Sequence, residues 1–355
     1  MNVVQEIWKD LSVLGFEGTV QTIEQFHSWI RRIKLLYMVP TLKKKVDTNG
    51  FKSYTTPTFV YKHITKVKTG KYGVIYSVLR RHMNGSEMTV YLKTSPDYPE
   101  SLLLEAILQS ASYSVLRAYG FPNAVPRVMD IAKEEKNGVV FSVEYNPQAQ
   151  LFADYLSKSI DWGKQSKEND KKILSVFAQV ATYLAILEEN LGLNHRDLKS
   201  TNVLMIVPCD PWSRSVTLKQ ASWTLSGCQK VLLIDFGFAC IGRSNGETII
   251  SAGEYMPTID FCPKEGRDLF LFFASLWNIP EFRASMTAEA TAYFHKWLRD
   301  STDTLWAEWL VTAAELNIKS MYLLTNADKF RSNPCTPLHI LKDIAHLYPD
   351  IVSFS

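Results

Sequence analysis

Apolar residues change their spacing several times along the chain, and each change predicts a different element. Val4, Ile7, Trp8, Leu11 and Leu14 recur every three or four positions, which predicts a helix that Gly15 and Gly18 close. Thr22 and Gln25 stand at capping-box spacing before Ile23, Phe26, Ile30, Ile33 and Tyr37, predicting a second helix that Pro40 ends. From Phe59 the period shortens to two. Residues 59–64, 70–76 and 88–93 predict three antiparallel strands, a helical run begins at Ser101, and residues 138–145 predict a further strand. Beyond it the chain turns helical. Ile173, Val176, Phe177, Val180, Leu184 and Leu187 form one stripe, with Ala178, Ala181 and Ala185 beside it, which predicts a long buried helix. Residues 203–207 and 231–234 predict two short strands. Leu305, Trp306, Trp309, Leu310 and Ala313 predict an amphipathic helix, and Thr336-Pro337 caps another through Ile340, Leu341, Ile344 and Leu347. Trp277, Trp297, Trp306 and Trp309 are expected in the core. Strands gathered early and helices late define an α+β fold.

Composition adds bounds. With 46% hydrophobic and 21% charged residues, the 355-residue chain is expected to be a soluble globular protein. A net charge of +3 is too small to argue for a nucleic-acid partner. Residues 173–187 and 269–277 are too short for a membrane span. Glu6, Lys9 and Asp10 interrupt the opening apolar positions, so no signal peptide is expected. Cys209, Cys228, Cys240, Cys262 and Cys335 lack metal-ligand spacing, and their odd number reads as free thiols in a reducing, cytoplasmic compartment. Arg31, Arg32, Lys34, Lys43, Lys44 and Lys45 form a basic cluster, either a solvated face or a docking surface for an acidic partner.

The candidate chemistry lies in His195-Arg196-Asp197-Leu198-Lys199-Ser200-Thr201-Asn202 and, downstream, Asp235-Phe236-Gly237. A carboxylate, a cation two residues on and an amide five residues on suit a reaction governed by positioning and charge neutralisation. Asp235 and Asn202 are hard oxygen donors of the kind Mg²⁺ accepts. This pair of motifs resembles the eukaryotic-type protein kinase superfamily, and Lys199 points to its Ser/Thr branch. The resemblance spans residues 59–275 in ordered motifs. It implies a bilobal fold: an N-terminal helical extension (1–57), a small antiparallel-sheet lobe (58–145) and a larger helical lobe (146–355) carrying an insertion at about 208–229.

By the same resemblance Asp197 and Lys199 are catalytic, and Asn202 and Asp235 hold Mg²⁺. Gly70, Gly73 and Ile75 belong to a glycine-rich loop over the phosphates of ATP, with Lys68 where a further glycine is usual. Lys93, closing Val90-Tyr91-Leu92-Lys93, contacts the phosphates. Its carboxylate partner is Glu105 in preference to Glu100, which stands at the helix start, where acidic residues also serve the helix dipole. Residues 121–126 resemble the turn that leads to the next strand. Val143 borders the adenine pocket, and Glu144 and Tyr145 offer backbone groups to the base. The implied function is Mg-ATP-dependent phosphorylation of serine or threonine hydroxyls on a protein. A pseudokinase scaffold and a small-molecule phosphotransferase are the alternatives.

Two stretches depart from the family pattern. Thirty-two residues (203–234) separate Asn202 from Asp235, and residues 215–218 and 222–225 predict an exposed hairpin within them. No Ala-Pro-Glu follows the Asp-Phe-Gly turn: Tyr255-Met256-Pro257-Thr258 approaches it, but Thr258 offers no carboxylate. Gly266-Arg267-Asp268 resembles the start of the central helix whose aspartate braces the catalytic loop. The short segment between offers Ser244, Thr248 and Ser251 as phosphoacceptors, and its context somewhat resembles kinases of large DNA viruses, which would place the protein in host cytoplasm or a virion.

Overall fold

The computed structural model describes residues 2–32, 39–46, 52–70, 73–95, 99–134, 138–207, 210–253, 261–299, 306 and 335–355. Helix α1 (Val3–Val13) starts where the Asn2 side chain accepts the Val4 N–H, and it buries Ile7 and Leu11. Helix α2 (Ile23–Arg32) opens on the expected capping box. The Gln25 N–H donates to Thr22 Oγ1 at 3.2 Å, and Gln25 Oε1 accepts the Gln21 and Thr22 N–H groups. Ile33 and Tyr37 lie outside the described residues.

The N-terminal extension is not purely helical, contrary to the expectation for residues 1–57. Strands β1 (Thr41–Val46) and β2 (Lys52–Thr55) precede the expected β3 (Phe59–Gly70), β4 (Gly73–His82) and β5 (Glu87–Ser95). After α3 (Pro99–Ala118) come β6 (Val128–Glu134) and β7 (Val139–Glu144). β2 pairs with β3, and β1 pairs parallel with β6, so seven strands close into a barrel ordered β1-β2-β3-β4-β5-β7-β6. Leu42, Phe59, Tyr61, Val78, Val90, Leu92, Ala132 and Val140 fill it. Closure removes both sheet edges, which would otherwise present unpaired backbone groups. Inside the barrel Arg80 is clamped by Asp130, which also accepts from Tyr61 and Ser142.

The larger lobe begins with β8 (Ala149–Leu151), α4 (Phe152–Ser159) and the long α5 (Lys167–Leu191), capped by Ser166 and ended by Gly192 in the left-handed region at φ 62°. Its predicted stripe is wholly buried. The short β9 (Leu193–Asn194) leads into the catalytic-type loop and β10 (Val203–Ile206). β11 (Trp212–Thr217) and β12 (Ser222–Gly227) form the hairpin expected in the insertion, followed by β13 (Lys230–Leu233), β14 (Cys240–Gly242) and β15 (Thr248–Ser251). Helices α6 (Arg267–Trp277), α7 (Pro280–Ser285), α8 (Ala288–Trp297) and α9 (Pro337–Leu347) and strand β16 (Val352–Phe354) complete the described elements.

The insertion hairpin is not simply exposed. β16 pairs with β12, and Trp223 and Leu225 are buried, with Trp223 Nε1 donating to Thr182 of α5 at 3.1 Å. Alternation along β12 demands a cover for those two side chains, and α5 supplies it. Phe177, Phe273, Phe294 and Trp297 interlock at the centre of the lobe, and Trp277 stacks on Phe294. Trp277 and Trp297 are therefore core residues, and Trp306 packs half-buried against the same core. Leu305, Trp309, Leu310 and Ala313 lie outside the described residues.

The free-thiol expectation fails at two positions. Cys240 and Cys262 form a disulfide, both wholly buried, while Cys228 and Cys335 are not disulfide-bonded. Cys209 lies outside the described residues. No helix among the described residues is long and apolar enough to cross a membrane.

Candidate active site

Asp268, at the start of α6 and fully buried, fixes the loop from below. Its two carboxylate oxygens accept the N–H groups of His195 and Arg196, each at 2.7 Å. A carboxylate receiving two backbone donors is a charge-assisted clamp, and it holds Arg196 in the left-handed region at φ 64°. His195 Nε2 lies 3.0 Å from the Ile234 carbonyl, and its ring packs on the buried Phe236.

Above this brace, Lys199 Nζ donates to both oxygens of Asp197 at 2.9 and 2.8 Å. Asn202 Nδ2 donates to the Asp197 carbonyl at 2.8 Å and to its carboxylate at 2.9 Å. Those two bonds occupy the amide nitrogen and turn the amide oxygen away from Asp197. The insertion does not part Asn202 from Asp235. β10 and β13 pair from Val203–Leu233 outward, and the Ile234 N–H donates to the Asn202 carbonyl at 3.1 Å.

From the small lobe, Lys93 Nζ reaches Glu105 at 2.7 and 3.0 Å and Asp235 at 2.8 Å. Glu105, not Glu100, is thus the partner; Glu100 stands in the first turn of α3. The two carboxylates differ. Glu105 keeps 4% of its side-chain exposure and Asp235 41%, so only Asp235 faces open space. Burial pushes the Glu105 carboxyl up to about 7, against the pull of the Lys93 ammonium. Burial acts the same way on Asp235, yet Lys93 prevails and holds that carboxyl below the ordinary aspartate value. Asp235 takes φ 67°, and a Cβ at Gly237 would stand 3.2 Å from Glu105 Oε2, so any side chain there would crowd that carboxylate.

Ile75 lies directly across from Lys93 in the β4–β5 register, so the two side chains leave the same side of the sheet. Gly70 pairs with Gly73 at the end of the β3–β4 hairpin, whose tip, Lys71 and Tyr72, lies outside the described residues. A Cβ on Gly73 would come within 2.4 Å of the Thr94 carbonyl, so glycine is required there by packing alone. The Glu144 N–H donates to the Arg127 carbonyl at 2.9 Å, so it is already engaged, and the Tyr145 ring meets Tyr91 edge-on at 4.9 Å.

Two features of the β14–β15 hairpin escaped the sequence. The disulfide ties its first residue to Cys262, and Arg31 of α2 reaches it, bonding Glu247 at 2.8 Å and the Ile249 carbonyl at 3.4 Å. Arg196 Nη1 donates to Ser251 Oγ at 2.9 Å on the same hairpin. The basic cluster held Arg31, but nothing in its spacing pointed to Glu247. Tyr255 to Thr258, the stretch lacking the usual glutamate, lies outside the described residues.

A sheet-built small lobe on a helical lobe, with a lysine–glutamate pair facing an aspartate turn across the cleft, defines a protein kinase fold and site. The protein tyrosine and serine/threonine kinase family model matches residues 61–263, more than half of the chain, and the chain belongs to that family. Among solved structures it is similar to vaccinia related kinase 3 (13% identity, covering 92% of this chain and 95% of that one, TM-score 0.46). It is also similar to the BubR1 kinase domain (14% identity, 98% and 93% covered, TM-score 0.46). No curated protein matches it in sequence.

Proposed function

We propose that this protein transfers the γ-phosphoryl group of Mg-ATP to a serine or threonine hydroxyl of a protein substrate. The observation that carries the reading is the meeting of Lys93, Glu105 and Asp235 within 3.0 Å, on a turn whose neighbour Ile234 is bonded to Asn202. The donor set fits a nucleotide-borne ion. Asp235 and Asn202 offer two hard oxygen donors, and Mg²⁺ is usually bound by one or two such protein groups together with substrate phosphates and waters. Asp235, held ionised, and the amide oxygen of Asn202, which the two Nδ2 bonds turn away from Asp197, would be its protein ligands. Mg²⁺, when bound, would supply charge neutralisation across the phosphate oxygens.

The rest falls to the chain's own groups. Lys93 exchanges its bond to Asp235 for a phosphate while Glu105 keeps it in place. Gly70, Gly73 and Ile75 roof the nucleotide, and the Glu144 carbonyl with the Tyr145 backbone meets the base. Asp197 accepts a hydrogen bond from the attacking hydroxyl and orients it, and Lys199 offsets charge on the group in transfer.

The test is a radiolabel transfer assay with Mg-ATP, offering a generic basic protein beside small alcohols and aminoglycosides. We expect label on serine and threonine of the protein. Label confined to the small acceptors would establish a small-molecule phosphotransferase instead, and none on any acceptor would favour a scaffold.

A further inference from the structure

The barrel separates its outward side chains into two sectors. β5, β6 and β7 face α3 and the cleft, carrying Lys93 and the stretch leading to Glu144. β2 lies opposite, three strands from both β5 and β7. In a strand pair, directly opposed residues share a face. Leu42, Tyr61 and Val78 point inward, so the intervening positions point out. On the strands that flank β2 they bring together Lys43 and Lys45 of β1 and Lys62 of β3. β2 contributes Ser53 and Thr55 between them. No Asp or Glu occurs along β1, β2 or β3. These three cations put +3 on this sector, equal to the net charge of the whole chain, so the rest of the molecule is close to neutral.

We infer that this sector is a docking surface for a membrane bearing anionic headgroups. Three strands at about 4.8 Å spacing make a cationic face about 10 Å across. A face that is cationic and hydroxylic suits a layer of phosphates. Protein interfaces are anchored by buried aromatic and apolar groups, and single-stranded nucleic acids by stacking aromatics. Here Phe59, Tyr61 and Tyr54 are turned to the inner side, and Val60 is the apolar residue that the β2–β3 register turns outward. Met83, 58% exposed at the β4–β5 turn, adds an apolar side chain at the rim. Docking through β2 leaves the cleft on the far side of the barrel, open to a substrate.

The test is co-sedimentation of the full chain with phosphatidylcholine vesicles, with and without roughly one third phosphatidylserine, at low and high salt. We expect binding only to the phosphatidylserine vesicles, weakening between about 0.05 and 0.2 M salt as the Debye length shortens. Each cation near an anionic bilayer is worth about fivefold in affinity, so Lys43→Glu with Lys45→Glu and Lys62→Glu should bind about 100-fold more weakly. An unchanged thermal midpoint would show that this variant is folded. Should it not fold, Lys43→Gln with Lys45→Gln, each on an exposed position, should still lose at least about tenfold. Equal binding to pure phosphatidylcholine, or full binding by a folded variant, would overturn the inference. So would release from the vesicles by a stoichiometric DNA duplex or by polyglutamate, which would assign the face to nucleic acid or to an acidic protein.

Discussion

Lys93 carries one positive charge between two carboxylates, and that imbalance governs the titration of the site. Glu105 is the buried member, and burial holds its proton up to about 7 against an ordinary 4.5. Between those values the folded protein binds more protons than the unfolded chain, so this group's contribution to stability falls as pH rises from 4.5 to 7. Asp235 has the opposite sign. Its folded value is depressed, so its contribution is present above the ordinary aspartate value and is lost as pH falls through the lower folded one. Glu105→Gln should therefore flatten the stability slope between pH 4.5 and 7 while leaving the acid limb intact, as denaturant midpoints across that range would show. An unchanged slope would place Glu105 in the ionised state throughout. Asp235→Ala should abolish any Mg²⁺-dependent thermal stabilisation by ATP, because Asn202 alone cannot hold a bridging cation. Equal stabilisation of that variant and the wild type would remove Asp235 from the metal site. At this scale the sequence was legible. Asp197, Lys199 and Asn202 stand within one motif and Asp235 opens a second, and Lys93 lies one strand beyond the paired glycines.

The elements were legible where apolar spacing was strong and obscure where pairing made them. β1 reads Thr41-Leu42-Lys43-Lys44-Lys45-Val46, with too few apolar positions to mark a strand. It exists because β6 and β2 take up its hydrogen bonds. Cys240 and Cys262 stand 22 residues apart with no spacing signature, and only the return of the chain after β15 brings them together. The β14–β15 hairpin is consequently held three ways, by the disulfide, by Arg31 from α2 and by Arg196. A segment already ordered has little to gain from phosphorylation. Replacing Ser244, Thr248 and Ser251 together by alanine should change transfer activity less than about tenfold. A loss of several hundredfold, matched by phosphatase-treated wild type and reversed there by pre-incubation with ATP, would reveal a conventional switch. A disulfide closing a loop of this length contributes about 3 kcal/mol by the chain-entropy account. Dithiothreitol should therefore lower the wild-type thermal midpoint by about 5 °C, and Cys240→Ser with Cys262→Ser should be insensitive to it. A midpoint indifferent to reductant in the wild type would show that the bond adds nothing to stability.

In the whole molecule the extension ties the lobes together. α1 packs on α3, where Arg117 bonds Glu6 and Asp10 at 2.8 and 3.0 Å, and α2 reaches the β14–β15 hairpin of the other lobe. α3 carries Glu105 and the hairpin meets Arg196, so one N-terminal segment touches the supports of both halves of the site. The periodicity of α1 and α2 predicted apolar faces in need of a partner, but which surfaces they cover depends on contacts between residues more than one hundred positions apart. The site they support has one group whose removal separates binding from chemistry. Asp197→Asn preserves the shape of the side chain while removing the charge that would orient an attacking hydroxyl. In a steady-state phosphoryl-transfer assay with Mg-ATP and a protein acceptor, we expect kcat to fall by about 100-fold or more, with the KM for ATP nearly unchanged. Turnover by Asp197→Asn equal to that of the wild type would contradict the assignment of this cleft as the site of phosphoryl transfer.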